Sequence, residues 1–334
     1  MAFFINQLKE KGHLENTSMT VFCVGSRKLG QGDDLGSQAW GMFSPHLNIY
    51  GFDADADACE VANANLAERD VSWKENHVPI ALSDTDGEAT LYVTHAPMCS
   101  SLYPPDEEFL SRFNDLPELV NLDFSVDIET TTLDTFCQEA GIRHVDFLQM
   151  DVQGAELLVL EGASKLLEQG IFAIQAEVSF EPLYKEQPLF ADVDKYLRAK
   201  GFSFFDFEFR GTPGTRRRSP VRSPLHPGQR LWADAIYFFD ILALDKDSEW
   251  RTPENIFKLA CVSDAIGFVD YSLELLEYLT INYGKTDARH NYADCIVSSL
   301  AVMPTLIEKG LSSLEIVQNL EPFLSQDCRK QYLQ

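Results

Sequence analysis

The chain has 334 residues, 45% hydrophobic and 24% charged, a balance that excludes a disordered, collagen-like or fibrous protein. Fifty-two acids oppose 27 lysines and arginines for a net charge of −25. A field of that sign repels phosphate backbones and anionic lipid, which counts against nucleic acid or a membrane surface as a general partner.

Residues 1–17 read as an N-terminal helical arm with neither the basic nor the apolar region of a signal peptide. From about residue 18 to 244, short apolar runs alternate with helical stretches. Residues 20–25 form a buried strand ending in glycine. A second strand, 48–53, precedes an Ala- and Asn-rich helix to about Leu66. Residues 78–84 read as a third strand, weakened by Pro79. The turn at 84–87 leads into a strand at 89–93, and 145–151 is another buried strand. Leucines at helical spacing predict one helix over 155–168 with Gly170 as its C-cap. A strand at 171–178, a helix at 190–200 and an antiparallel pair, 202–209 with 233–240, complete the series. Continuous apolar strands separated by helices predict an α/β, Rossmann-like parallel sheet with helices on both faces.

Between 210 and 230 lie six arginines, four prolines, three glycines and no acid, so the rest of the chain carries −25 − 6 = −31. This flexible basic loop is either a solvated surface segment, or a flap over a site or contact for an anionic substrate or partner. From 245 to 334 the alternation stops. Amphipathic helices are expected over 254–261, 270–279, 288–302 and 313–324, with Pro253 at a helix start. This helical C-terminal region packs against the main domain, lids its site or forms an interface through which the chain oligomerises. No segment approaches the roughly 18 consecutive apolar residues of a membrane span. Seven scattered cysteines, never spaced C-x-x-C, argue against a disulfide framework and a metal site, and fit a reducing, cytoplasmic setting.

Ligands of an open doubly wound sheet gather at the carboxyl ends of its strands, here Gly25, Asp53, Asp84, Asp151 and Glu177. Gly25 permits a tight turn, and Asp53 can accept the hydroxyl hydrogens of a ribose. That pair suits a dinucleotide or S-adenosylmethionine, or is a plain turn and a solvated strand end. Residues 25–30 lack the G-x-G-x-x-G spacing that cradles a pyrophosphate, which weakens an oxidoreductase reading. The acids 53, 55 and 57 do not make a calcium loop, because Ala58 and Ala64 stand where glycine and glutamate are needed. Arg216, Arg217 and Arg218 could suggest a nuclear signal, which the acidic body disfavours.

Further motifs narrow the choice: Thr-Thr-Leu-Asp at 131–134, Asp-Phe-Leu-Gln-Met-Asp-Val-Gln-Gly-Ala-Glu at 146–156, Leu-Glu-Gly-Ala at 160–163 and Glu-Val-Ser-Phe-Glu-Pro-Leu-Tyr at 177–184. With Ala-Leu-Ser-Asp at 81–84 and Ser-Ser-Leu at 100–102, they resemble the FkbM family of S-adenosylmethionine-dependent methyltransferases over residues 21–240. The resemblance implies a class I methyltransferase fold and methylation of a hydroxyl on a sugar, glycan or polyketide-type small molecule. It places the cofactor, S-adenosylmethionine, against Gly25, Ser26, Arg27, Asp53, Ala54, Ser83, Asp84 and Asp151. The acceptor falls near Ser101, Glu156 and Tyr184.

An alcohol is a poor nucleophile, so a base is wanted, and two carboxylates would also complement a sulfonium. Asp151 and Glu177 are the candidates. Asp151 can instead cap the helix near Gln153, and Glu156 can simply favour that helix's N-terminus. His95 and His144 are alternative bases outside any strong motif. The family places an acid where this chain has Cys23, so either Asp33 or Asp34 takes its role or cofactor binding is weak. It also keeps open a non-catalytic binding or scaffold protein that retains the fold.

Overall fold

In the computed structural model, residues 2–27, 34–209 and 213–333 are described. Helix α1 (Ile5–Glu10) precedes β1 (Met19–Val24), β2 (Leu47–Phe52), α2 (Ala56–Ala67), β3 (Lys74–Val78), β4 (Ala81–Leu82) and β5 (Gly87–Thr94). Next come α3 (Glu107–Leu110), α4 (Leu116–Val120), β6 (Leu122–Thr131), α5 (Leu133–Ala140), β7 (Val145–Met150), α6 (Glu156–Glu161) and α7 (Ser164–Gln169). The series closes with β8 (Ile171–Ser179), α8 (Phe190–Ala199), β9 (Phe202–Glu208) and β10 (Trp232–Phe239). The C-terminal helices are α9 (Pro253–Ala265), α10 (Val269–Tyr283), α11 (Ala293–Leu300), α12 (Pro304–Lys309), α13 (Glu315–Leu320) and α14 (Gln326–Tyr332).

Seven strands form one sheet in the order β3-β2-β1-β7-β8-β10-β9. The first five are parallel, and β10 runs antiparallel to both its neighbours. Numbered within the sheet, the order is 3-2-1-4-5-7-6. The chain leaves β1 toward one edge and returns on its other side as β7, so the carboxyl ends of β1 and β7 flank the switch point.

Side chains alternate across this sheet. Phe22, Leu148, Ile174 and Tyr237 enter a core with Leu133, Val159, Leu167 and Leu197 of α5–α8. Val21, Ile49, Phe147, Phe172 and Phe238 face the other way, into a core shared with Leu8, Ile256, Leu275 and Ile296. Both faces are covered, as the sequence predicts, but one face is covered by the two ends of the chain. The described part of the link from β1 to β2 contributes two short 3-10 turns, from which Trp40 and Phe43 enter that core. The Asp264 carboxylate on α9 joins the two ends by accepting from the backbone N–H groups of Phe3, Phe4 and Ile5, each at 2.8 Å. These are otherwise orphaned donors at the start of a helix.

Three expectations are corrected. The third strand ends at Val78, because Pro79 cannot donate to a ladder; Ala81–Leu82 belongs to a separate three-stranded sheet, β4-β6-β5. The helix expected over 155–168 breaks at Gly162, where an added Cβ would lie 2.1 Å from the Ser83 carbonyl oxygen. Asp134 then caps the second piece, accepting from Lys165 and Leu166 N–H at 2.9 and 3.0 Å, while Thr132 caps α5. The basic loop, of which 213–230 is described, is tethered. Arg216 stacks over Phe113 at 4.4 Å, Arg217 pairs with Glu118, and Gln229 donates to Glu181 at 2.9 Å.

Candidate active site

A cavity of about 500 Å³ opens at the carboxyl ends of β1, β2 and β7 and extends to the three-stranded sheet. Gly25 begins the turn after β1 in the left-handed region, φ 76°, and a Cβ there would sit 1.9 Å from the Asp151 carbonyl oxygen. Only glycine allows the two strand ends to approach so closely. The turn is held by the Gly25 and Ser26 N–H groups, both donating to the Phe52 carbonyl at 2.9 Å.

Asp53 closes β2 and lines the cavity. Its Oδ2 accepts from Arg27 N–H at 3.1 Å and its Oδ1 from Asp55 N–H at 2.9 Å, so the carboxylate is fixed by backbone alone. Burial raises its pKa. Asp55 caps α2 through Ala58 N–H and pairs with the Arg27 guanidinium. Behind the wall, Ser26 Oγ lies 2.9 Å from His77 Nδ1, and His77 Nε2 lies 3.1 Å from Glu75 Oε1. That buried chain stiffens the turn from below.

After β7 the chain makes a second tight turn, with Gln153 at φ 56° and Gly154 at φ 96°. Strain of this kind in a non-glycine residue points to a constrained role. The Gln153 side-chain amide donates to Asp151 Oδ1 at 2.6 Å and to Glu177 Oε2 at 2.9 Å. Its carbonyl oxygen lies 2.9 Å from the hydroxyl of Tyr184, which also donates to the Cys99 carbonyl at 2.7 Å. Oxygens of Asp151, Glu156 and Glu177 fall within 4.8 Å of one another, close enough for each charge to raise the pKa of the others. Burial pushes Glu156 up to about 8. Burial and the neighbouring Asp151 charge hold Glu177 well above the carboxylate range.

Of the sequence-predicted site residues, Gly25, Arg27, Asp53, Ala54, Ser101 and Asp151 line the cavity. Ser26, Ser83, Asp84, Glu156, Glu177 and Tyr184 are not among the residues that line it. Glu156 and Tyr184 thus depart from an acceptor-contact role: Glu156 accepts from Val152 N–H at 2.8 Å, and Tyr184 is buried against Gln153. Ser83 donates to Asp84 at 3.0 Å just outside the wall, which Leu82 completes. His95 faces the cavity, whereas His144 binds Asp146 at 2.9 Å at the opposite end of β7.

Cys23 packs against the core that the chain ends share. Asp34 is engaged with Arg69 at 2.7 Å and does not reach the cavity wall; Asp33 lies outside the described residues. Neither the described part of the basic loop nor α9–α14 contributes to the wall, so among the described residues neither acts as flap or lid. Sequence reasoning missed Gln153 as the bridge between two acids. It also passed over the alternation of apolar and polar residues in 122–131, which identifies β6.

Residues 44–204 match the family model of the methyltransferase FkbM domain. The 2-O-methyltransferase NoeI of Sinorhizobium fredii is 28% identical over 169 residues, covering 50% of this chain and 68% of that protein. Among solved structures, the methyltransferase FkbM from Methylobacillus flagellatus aligns over 66% of this chain and 43% of its own, with 13% identity and a TM-score of 0.36. The chain thus spans less than half the length of that structure. Magnesium protoporphyrin IX methyltransferase from Synechocystis, solved with bound S-adenosylmethionine, aligns over 70% and 75%, with 12% identity and a TM-score of 0.33.

Proposed function

We propose that this chain, whose residues 44–204 match the FkbM methyltransferase domain, methylates a hydroxyl on a sugar, glycan or polyketide-type acceptor. The observation that carries this reading is the pairing of Asp53 and Asp151 on either side of Gly25 in one cavity. S-adenosylmethionine supplies an activated methyl group on a sulfonium. Asp53, with both oxygens oriented by backbone N–H groups, takes the ribose hydroxyls, and Gly25 admits the cofactor close to the backbone. Arg27 is the only lysine or arginine in the described wall and is paired with Asp55, so the cavity is acidic and complements a sulfonium.

Asp151 is the carboxylate that faces the acceptor and takes the hydroxyl proton. Glu177 sits behind Gln153 and keeps Asp151 oriented through the shared amide. This divides the labour between two acids that the sequence alone leaves equivalent. Orientation of donor and acceptor supplies much of the acceleration, roughly 7–11 kcal/mol in well-aligned systems.

The experiment is methyl transfer from isotopically labelled S-adenosylmethionine to a panel of alkyl glycosides and phenols, read by mass spectrometry. Asp151→Asn is expected to lower transfer by at least about a hundredfold while S-adenosylhomocysteine still binds. Loss of transfer in His95→Ala with full activity in Asp151→Asn moves the base to His95. Failure of the intact protein to bind S-adenosylhomocysteine overturns the reading and favours a non-catalytic scaffold.

A further inference from the structure

The three-stranded sheet is two-faced. In the β5–β6 register Leu91 opposes Val126, Val93 opposes Phe124 and Ala89 opposes Ile128, forming one apolar face. The alternate pairs, Glu88 with Glu129, Thr90 with Asp127 and Tyr92 with Ser125, form a polar face. An amphipathic sheet ordinarily turns its apolar face into a core. Here that face is a wall of the cavity, and its side chains are poorly covered: Phe124 is 53% exposed, Val126 43% and the adjoining Met98 46%. Clustered exposed apolar side chains of this kind mark a binding surface.

Resting on the function proposed above, we propose that the acceptor is a neutral amphiphile: a hydroxyl-bearing head held near Asp151, with an alkyl or acyl chain lying on Leu91, Val93, Phe124 and Val126. The occupant follows from two observations. The apolar face is continuous with the cavity that holds Asp53 and Asp151, so whatever covers it shares that space. The wall carries the carboxylates of Asp53, Asp55, Asp123 and Asp151, which repel an anionic head. A free hydrophilic sugar would leave the apolar wall wet and gains nothing from it.

The test titrates methyl, hexyl and octyl β-D-glucopyranoside, each below its micelle concentration, into the protein with and without S-adenosylhomocysteine. A fully buried methylene tightens binding by about fourfold, so a partly covered chain should gain about twofold per added methylene. Phe124→Asp and the milder Val126→Thr are expected to weaken octyl glucoside by about tenfold and threefold, with S-adenosylhomocysteine affinity unchanged. Equal affinity for the methyl and octyl compounds overturns the proposal. So does a parallel loss of S-adenosylhomocysteine binding in both variants, which assigns the wall to the cofactor. A dimer in sedimentation that Phe124→Asp dissociates also overturns it, since the face is then covered by a second copy. Absence of S-adenosylhomocysteine binding with chain-length dependence intact defeats the earlier reading and with it the acceptor role, leaving the wall as an amphiphile-binding surface alone.

Discussion

The two ends of strand β7 carry acids that their surroundings treat in opposite ways. At its start, buried Asp146 accepts from Thr20 N–H at 2.7 Å and is paired with Lys258 of α9 at 2.8 Å and His144 at 2.9 Å. Burial opposes its charge, but the His144 hydrogen bond and the Lys258 charge outweigh it, and its pKa is lowered. Just past the other end, Asp151 stands with Glu156 and Glu177 and an amide between them, and burial raises the pKa of both glutamates. Charge paired with a lysine and a histidine at the amino end stabilises, whereas carboxyls gathered at the carboxyl end are placed for chemistry. The same strand therefore separates a structural end from a functional one, and each substitution below tests that separation.

The largest effect is expected from Gly25→Ala. Its Cβ would collide with the Asp151 carbonyl in a left-handed conformation, so S-adenosylhomocysteine binding should fall by at least about a hundredfold in calorimetry. Next comes Leu276→Ala in the fully buried core beneath α10, which should cost about 2–5 kcal/mol of unfolding free energy in urea with ligand affinity unchanged. Asp264→Ala should cost roughly 1–3 kcal/mol by orphaning donors of α1, again without touching the ligand. Loss of ligand binding in either of these variants would break the separation.

The smallest effects are pH-dependent and of opposite sign. Glu156, raised to about 8, contributes stability that is fully present below the ordinary glutamate pKa near 4.3 and is lost as pH rises toward 8. Glu156→Gln should therefore flatten the decline in thermal stability between about pH 5 and 8. Asp146, lowered, contributes stability present above the ordinary aspartate pKa near 3.9 and lost as pH falls further. Asp146→Asn should flatten the acid limb instead, and similar pH profiles for the two variants would contradict the comparison.

Much of the sheet is legible in the sequence because parallel strands buried on both faces appear as continuous apolar runs, such as 145–150 and 171–178. Strand β3 is not, since Lys-Glu-Asn-His-Val at an edge needs no apolar run, and its register depends on β2. The terminal helices are legible as helices, but the face they cover is not, because nothing local records which face of the sheet they pack against. Asp53 and Asp151 are found by their place at strand ends. Gln153 escapes because its role depends on Glu177, twenty-four residues away along the chain and adjacent only once β7 and β8 pair.

The central claim is tested most directly by titrating S-adenosylhomocysteine calorimetrically into the intact protein, Asp53→Ala and Asp146→Asn at neutral pH. The account predicts roughly micromolar binding to the intact protein, the same affinity in Asp146→Asn, and little or none in Asp53→Ala. Equal affinity in Asp53→Ala, or no binding to the intact protein, would contradict it.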